Sequence, residues 1–265
     1  MIAYRATLDV PPDLVSWIEN LVAARRSERG GSWYALTSFD QAVMTLVWLT
    51  KDATYEQLAA DFGVAVATAH EYVNDTIDQL ARFAPTLAEA IAASGPERRL
   101  LLDGTLIPTW RCAALATETN ADPLYNGKHH EHGMVVQALA DTDGELVFLG
   151  QARPGCTHDL AEARADGIID AVTEAGVETI ADSGYQGAGG TVRTPVKRPK
   201  GKGHNGFERR VNAAHARLRI PVERGFAVLK RFHILARLRI SPGRATTLLH
   251  AILAIIQKRS SLAKA

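Results

Sequence analysis

Through the first third of the chain, apolar residues recur at helical spacing; after it, short continuous apolar runs take over. Leu14, Trp17, Ile18, Leu21 and Val22 predict a helix over 9–29 behind Pro11-Pro12, broken by Gly30-Gly31-Ser32. Ser38 is placed to cap a helix from Phe39 to Thr50, apolar nearly all round and so expected at the centre of a bundle. Thr54 and Gln57 form a capping box, a short helix carries Leu58 and Ala59, and Gly63 then turns the chain into a longer helix from about Val66. That spacing, over about 54–82, predicts a helix-turn-helix. Pro85 and Ser94-Gly-Pro96 read as a linker.

Beyond the linker the pattern is that of strands. Leu100-Leu-Leu102 runs into Asp103, and 134–149 reads as a hairpin around Asp141-Thr-Asp-Gly144. Asp159 with Glu162 predicts a second capping box, opening a helix to about Glu174. A strand around Ile180 delivers Asp182 into a glycine-punctuated turn. Residues 193–206 form a basic loop. A helix from Phe207 is expected to break at Pro221 and resume to about Phe232, because proline disfavours helical backbone in the residue before it. An amphipathic helix closes the chain over 244–260. Two domains are expected: an all-α domain over 1–96 and an α/β domain over 97–265.

Composition narrows the class. Hydrophobic residues make up 46% and charged residues only 22%, enough for a packed core. Cys112 and Cys156 make neither a zinc pattern nor a disulfide framework, so a reducing compartment is expected. The first residues lack a charged leader followed by an apolar stretch, and the most apolar run, 248–256, is too short to span a bilayer. A cytoplasmic location, on the nucleoid, is expected. The net charge of +1 conceals a division: residues 183–265 carry 18 Lys/Arg against two acids, and residues 1–182 carry 12 against 27. So basic a segment is the footprint expected for a polyanion.

The candidate chemistry lies in three acids. Asp182, in Ala181-Asp-Ser-Gly-Tyr185-Gln-Gly187, follows Asp103 by 79 residues and precedes Glu223 by 41. Carboxylates on apolar elements are costly to bury without a cation, and a hard ion such as Mg2+ prefers such oxygens. Each acid also has an ordinary alternative: a strand-ending turn for Asp103, a turn cap for Asp182, and an ion pair with Arg219 or Arg224 for Glu223.

Joint order and spacing carry more than any single acid. Asp103-Gly-Thr105, Tyr125-Asn-Gly-Lys128, Pro154-Gly-Cys-Thr-His-Asp159, the Asp182 turn and Arg219-Ile-Pro-Val-Glu223-Arg-Gly-Phe226-Ala-Val-Leu-Lys230 together resemble DDE-type transposases of the insertion-sequence-five and Harbinger-like group, over about residues 38–240. The resemblance implies a ribonuclease H-like mixed sheet, with Asp103, Asp182 and Glu223 as catalytic metal ligands for Mg2+ or Mn2+, as two ions. It implies double-stranded DNA as substrate, at transposon ends and at the target, and a homodimer at synapsis. The neighbouring signature Tyr-x2-Arg-x3-Glu-x6-Lys is met at Arg219, Glu223 and Lys230, with Ala216 where tyrosine would stand. Candidate DNA contacts are Arg219, Arg224 and Lys230, then Lys197, Arg198, Lys200 and Lys202 of the loop. In the helix-turn-helix they are Thr68, His70 and Asn74.

Two rivals carry different chemistry. Lys128-His129-His130-Glu131-His132 resembles a zinc tract but lacks helical ligand spacing, and His158-Asp159 makes Asp159 a competitor for one place among the three acids. The non-enzymatic alternative is a helix-turn-helix regulator with an inert nuclease-like domain. The glycines of 184–190 are not followed by Gly-Lys-Ser/Thr, which rejects a nucleotide P-loop.

Overall fold

The computed structural model describes residues 8–30, 33–95, 99–112, 115–198, 201 and 203–264. Pro96, Lys200 and Lys202 therefore lie outside the described residues. The chain divides into two units, one of residues 1–84, 229–236 and 247–265, the other of residues 85–228 and 237–246. Residues after 229 are thus shared between the two.

The first unit is helical: α1 (Pro12–Arg29), α2 (Ser38–Lys51), α3 (Tyr55–Phe62), α4 (Val66–Ala81) and the greater part of α9 (Pro242–Lys264). Its core takes Leu14, Ile18 and Val22 from α1, Leu46 and Leu49 from α2, and Leu249, Ile252 and Leu253 from α9. The cap of α2 is Thr37 rather than Ser38: the Thr37 hydroxyl accepts from the Asp40 amide at 3.0 Å, which makes Ser38 the first helical residue. The expected capping box at Thr54 and Gln57 is formed, and Gly63, at φ 67°, ends α3 with its N–H on the Ala59 carbonyl. Gln41 is buried. It accepts from Arg26 at 2.7 Å and donates to Thr76 at 2.9 Å, tying α1, α2 and α4 together. Among the described residues no helix is long and apolar enough to cross a membrane.

The second unit opens with a helix where a linker was expected. Thr86 and Glu89 form a complete capping box, and α5 runs over Leu87–Ser94 before Gly95. A mixed seven-stranded sheet follows: β1 (Leu100–Pro108), β2 (Tyr125–Asn126), β3 (Glu131–Ala140), β4 (Leu146–Leu149), β5 (Arg153–Pro154), β6 (Thr179–Ala181) and β7 (Val192–Arg193). β1 pairs antiparallel with β3 and parallel with β6, and β6 pairs parallel with β7. The predicted hairpin is β3–β4, paired antiparallel. β1 is longer than its apolar run suggests, so Asp103 lies within the strand rather than at its end.

The helix predicted from Asp159 to Glu174 is two helices, α6 (Asp159–Ala165) and α7 (Ile168–Glu174), parted at Gly167 with φ 72°. They cover one face of the sheet, where Leu100, Leu102, Leu139, Ala181 and Tyr185 pack with Ala163, Ile168, Ile169 and Val172. The expected capping box at Asp159 is not formed; His158 occupies the cap position without a side-chain bond. Helix α8 (Gly206–Leu229) runs unbroken through Pro221. The ring costs one intrahelical bond, that to the Arg217 carbonyl, and Arg217 is exposed, so water can take the bond's place. Beside Pro221 the backbone of α8 touches the β3–β4 turn directly. A Cβ on Gly144 would strike the Pro221 carbonyl, and one on Gly225 would lie 2.7 Å from the Gly144 carbonyl oxygen.

Candidate active site

Parallel pairing of β1 with β6 sets Leu102 against Ala181, so the next residues, Asp103 and Asp182, emerge side by side. β6 ends there while β1 runs on, so the two carboxylates lie beyond the carboxyl end of a strand, the place where α/β sheets bind ligands. Alternation along β1 points Leu102 into the core under α6 and α7, and Asp103 to the side crossed by α8. There Arg219 donates to the Asp103 carboxylate at 2.8 Å, with both side chains about four-fifths buried. One turn earlier on α8, His215 Nε2 lies 2.7 Å from the Ala181 carbonyl oxygen. Burial lifts the Asp103 carboxyl above the ordinary aspartate range; Arg219 opposes the lift and Asp182 adds to it.

Because α8 is continuous, His215, Arg219 and Glu223 fall on one stripe of its surface at i, i+4 and i+8. Glu223 is exposed, one turn beyond the arginine that reaches Asp103. Asp182 caps its own turn, accepting from the Gly184 amide at 2.7 Å.

Asp159 joins this neighbourhood. Its Oδ1 lies 2.8 Å from where a Gly104 Cβ would be, and its Oδ2 lies 2.9 Å from the corresponding point at Gly184, as Asp182 Oδ1 does at 2.8 Å. Lys128 approaches Asp159 at 3.8 Å. Under these acids lies a buried polar chain that sequence reasoning missed. The Tyr185 hydroxyl donates to Gln137, and Gln137 donates to Glu162 at 3.3 Å. Burial, and then the charges of Asp159, Asp103 and Asp182, raise the Tyr185 pKa well above its usual value, so the hydroxyl keeps its proton. Burial also lifts Glu162, to about 7. The signal available in sequence was one polar residue, Gln137, inside the apolar run of β3.

The family description "DDE superfamily endonuclease" matches residues 102–257, from the residue before Asp103 to well beyond Glu223. The chain belongs to the DDE superfamily endonucleases. A second description, the helix-turn-helix of DDE superfamily endonucleases, matches residues 34–85, which contain α2, α3 and α4. Among curated proteins, a probable transposase for insertion sequence element IS702 of Microchaete diplosiphon is 26% identical over 220 residues, covering 80% of this chain and 76% of that protein. A putative transposase for insertion sequence element IS112 of Streptomyces albus G is 29% identical over 215 residues, with the same coverages. No solved structure matches.

Endonucleases of this family use divalent metal ions. The donor set here fits a hard cation in part: Asp103 and Asp182 are neighbouring oxygen donors, and Mg2+ is commonly held by one or two carboxylates plus phosphate oxygens. Among the described residues no three potential ligands are grouped closely enough to hold an ion by themselves. The histidine tract is dispersed over separate partners: His132 Nε2 lies 2.9 Å from Asp122, and His130 Nδ1 lies 3.4 Å from the Tyr125 hydroxyl.

Of the basic candidates among the described residues, Arg219 is the one with a hydrogen bond to a site acid. Lys197, Arg198, Arg224 and Lys230 are exposed, and Arg224 donates to the Asp143 carbonyl at 3.3 Å. On α4, His70 is exposed and meets the Tyr55 ring edge-on, Thr68 is half-buried, and the Asn74 amide donates to the His70 carbonyl at 2.8 Å.

Proposed function

We propose that the protein is a DNA transposase that cuts phosphodiester bonds at element ends and joins the freed 3′-hydroxyl to target DNA. Asp103 and Asp182 hold the divalent ions, Mg2+ or Mn2+, as a pair, and Glu223 is the third carboxylate. The observation that supports this reading is the register of β1 on β6, Leu102 against Ala181, which brings the next residues, Asp103 and Asp182, close enough for their charges to act on each other. The transposase names of both relatives support it.

In the cutting step water attacks phosphorus, the 3′-oxygen leaves with a proton, and the phosphate stays on the other strand end. In the joining step that 3′-hydroxyl attacks a target phosphate and displaces its 3′-oxygen, with no net change in bond count. A divalent ion, when bound, supplies Lewis acidity to the phosphoryl oxygens and lowers the pKa of the attacking water. Arg219 brings to Asp103 a planar fork suited to phosphate. Glu223 sits one turn from Arg219 on the same stripe of α8, so both serve one substrate. Lys197, Arg198, Lys200, Lys202, Arg224 and Lys230 grip the backbone further out, and α4 presents Thr68, His70 and Asn74 to bases at the element end. Two ends handled together call for two copies of the chain.

The test is cleavage of a duplex spanning the element's end, in Mg2+ or Mn2+, by the native protein and by Asp182→Ala. Loss of cleavage in the variant with DNA binding retained is expected. Equal cleavage by the two proteins removes the acid assignment, and binding without cleavage in any divalent ion identifies a DNA-binding regulator instead.

A further inference from the structure

Two of the segments singled out in the sequence, 125–128 and 154–159, are far apart in the chain, yet they fold into the two lips of one cleft of about 300 Å3. Asn126 joins the lips. It is buried, donates to the Gly155 carbonyl at 2.7 Å, and accepts from the backbone amides of Lys128 and His129 at 3.0 Å each. One amide side chain thus satisfies three backbone groups, so the cleft is built before any ligand arrives.

The lining is amphipathic in a specific way. Leu106 and Val135, facing each other across β1 and β3, give it an apolar floor. Gly127 leaves backbone bare on its wall, and Lys128 and His129 stand exposed at its mouth. An apolar floor and the Lys128 ammonium at the mouth match a base with a phosphate attached. The volume is at the small end of ligand sites, enough for one nucleotide and too little for a duplex. Its inner wall comes up to one of the acids: Asp159 bounds the cleft, and its Oδ2 and Asp182 Oδ1 lie 2.9 and 2.8 Å from the same point, where a Gly184 Cβ would be, while Asp103 points to the other face of β1.

We propose that this cleft seats the single nucleotide bonded to the scissile phosphate, drawn out of the duplex, and so sets which residue is accepted at the cut. This rests on the nuclease reading of Asp103 and Asp182 and adds to it a place for the neighbouring base. Extrusion of the base exchanges stacking in DNA for contact with Leu106 and Val135, and leaves its phosphate between Lys128 and Asp182.

Gly127 provides the test. It is exposed, its φ is not in the left-handed region, and a Cβ there meets no atom within 4 Å. Gly127→Phe therefore fills the mouth of the cleft without straining the backbone, and its unfolding midpoint is expected to match the native one. Two duplexes are compared, one with an intact nucleotide at the cut and one with an abasic residue there. Gly127→Phe is expected to cut the intact duplex about a hundredfold more slowly than the native protein, the scale of loss from a misplaced reactant. It should cut the abasic duplex as the native protein does. Unchanged cleavage of both, or equal loss on both, overturns the proposal. Cleavage by Asp182→Ala equal to the native rate would instead remove the nuclease reading. The cleft is then decided by a second experiment that needs no catalysis. A 4-thiothymidine at the same position, irradiated in the complex with Ca2+ present, is expected to cross-link to residues 125–129 or 155–159, and cross-linking elsewhere overturns the assignment.

Discussion

Replacing Glu162 with glutamine is expected to stabilise the protein at neutral pH while leaving its acid behaviour little changed. Glu162 is fully buried on α6, receives one hydrogen bond from Gln137, and has no partner for its Oε1. Its carboxyl is lifted from 4.5 to about 7, chiefly by burial, and the charges of Asp159 and Asp166 push the same way. A carboxyl that binds its proton more tightly when folded contributes stability below its unfolded pKa. That contribution drains away as pH rises through the folded value. Between pH 4.5 and about 7 the native protein should therefore lose about 3 kcal/mol that the amide variant keeps, as an upper limit. Glutamine preserves the acceptor for Gln137 and adds a donor among acidic neighbours, so little is lost in exchange. The assay is urea denaturation of both proteins across that pH range. The gap should open between pH 4.5 and 7 and stay constant above it. A gap that does not vary with pH, or that widens toward acid, refutes the reasoning.

Two further outcomes follow from the geometry. Gly104→Ala places a methyl group 2.8 Å from Asp159 Oδ1 and 3.0 Å from Gln137 Nε2, so it is expected to cost about 1–3 kcal/mol in thermal unfolding and to slow cleavage together with it. Replacing Lys197 and Arg198 with alanine should weaken binding to all duplexes alike and flatten the dependence of log affinity on log salt by about one to two, measured by anisotropy titration.

What could be read from sequence was what is decided locally. The Thr54–Gln57 box and Gly63 fix a helix and its turn within ten residues, and the Asp141–Gly144 turn fixes a hairpin. Asp103 and Asp182 were legible as strand-borne acids, but their adjacency comes from the register of β1 on β6, which no local pattern encodes. α5 was hidden because Pro85 and Gly95 drew a linker around a capping box that was present at Thr86 and Glu89. At Pro221 the local rule against helix gave way, since the residue whose carbonyl is freed, Arg217, is exposed and the rest of α8 is held at His215, Arg219 and Gly225. Asp159 was balanced between capping and chemistry. Tertiary neighbours on Gly104 and Gly184 decide where it goes, and those are invisible in a segment read alone.

The bare contact of the β3–β4 turn with α8 has a consequence for how this chain can vary. Gly144 and Gly225 let the two backbones meet, with the Leu146 side chain alone beside Gly225, so that close approach fixes how high Arg219 and Glu223 ride above the sheet. A methyl group at either glycine would act as a shim, tilting the whole helix and lifting its guanidinium off Asp103. Two glycines remote from Asp103 in sequence thereby set where its arginine partner stands.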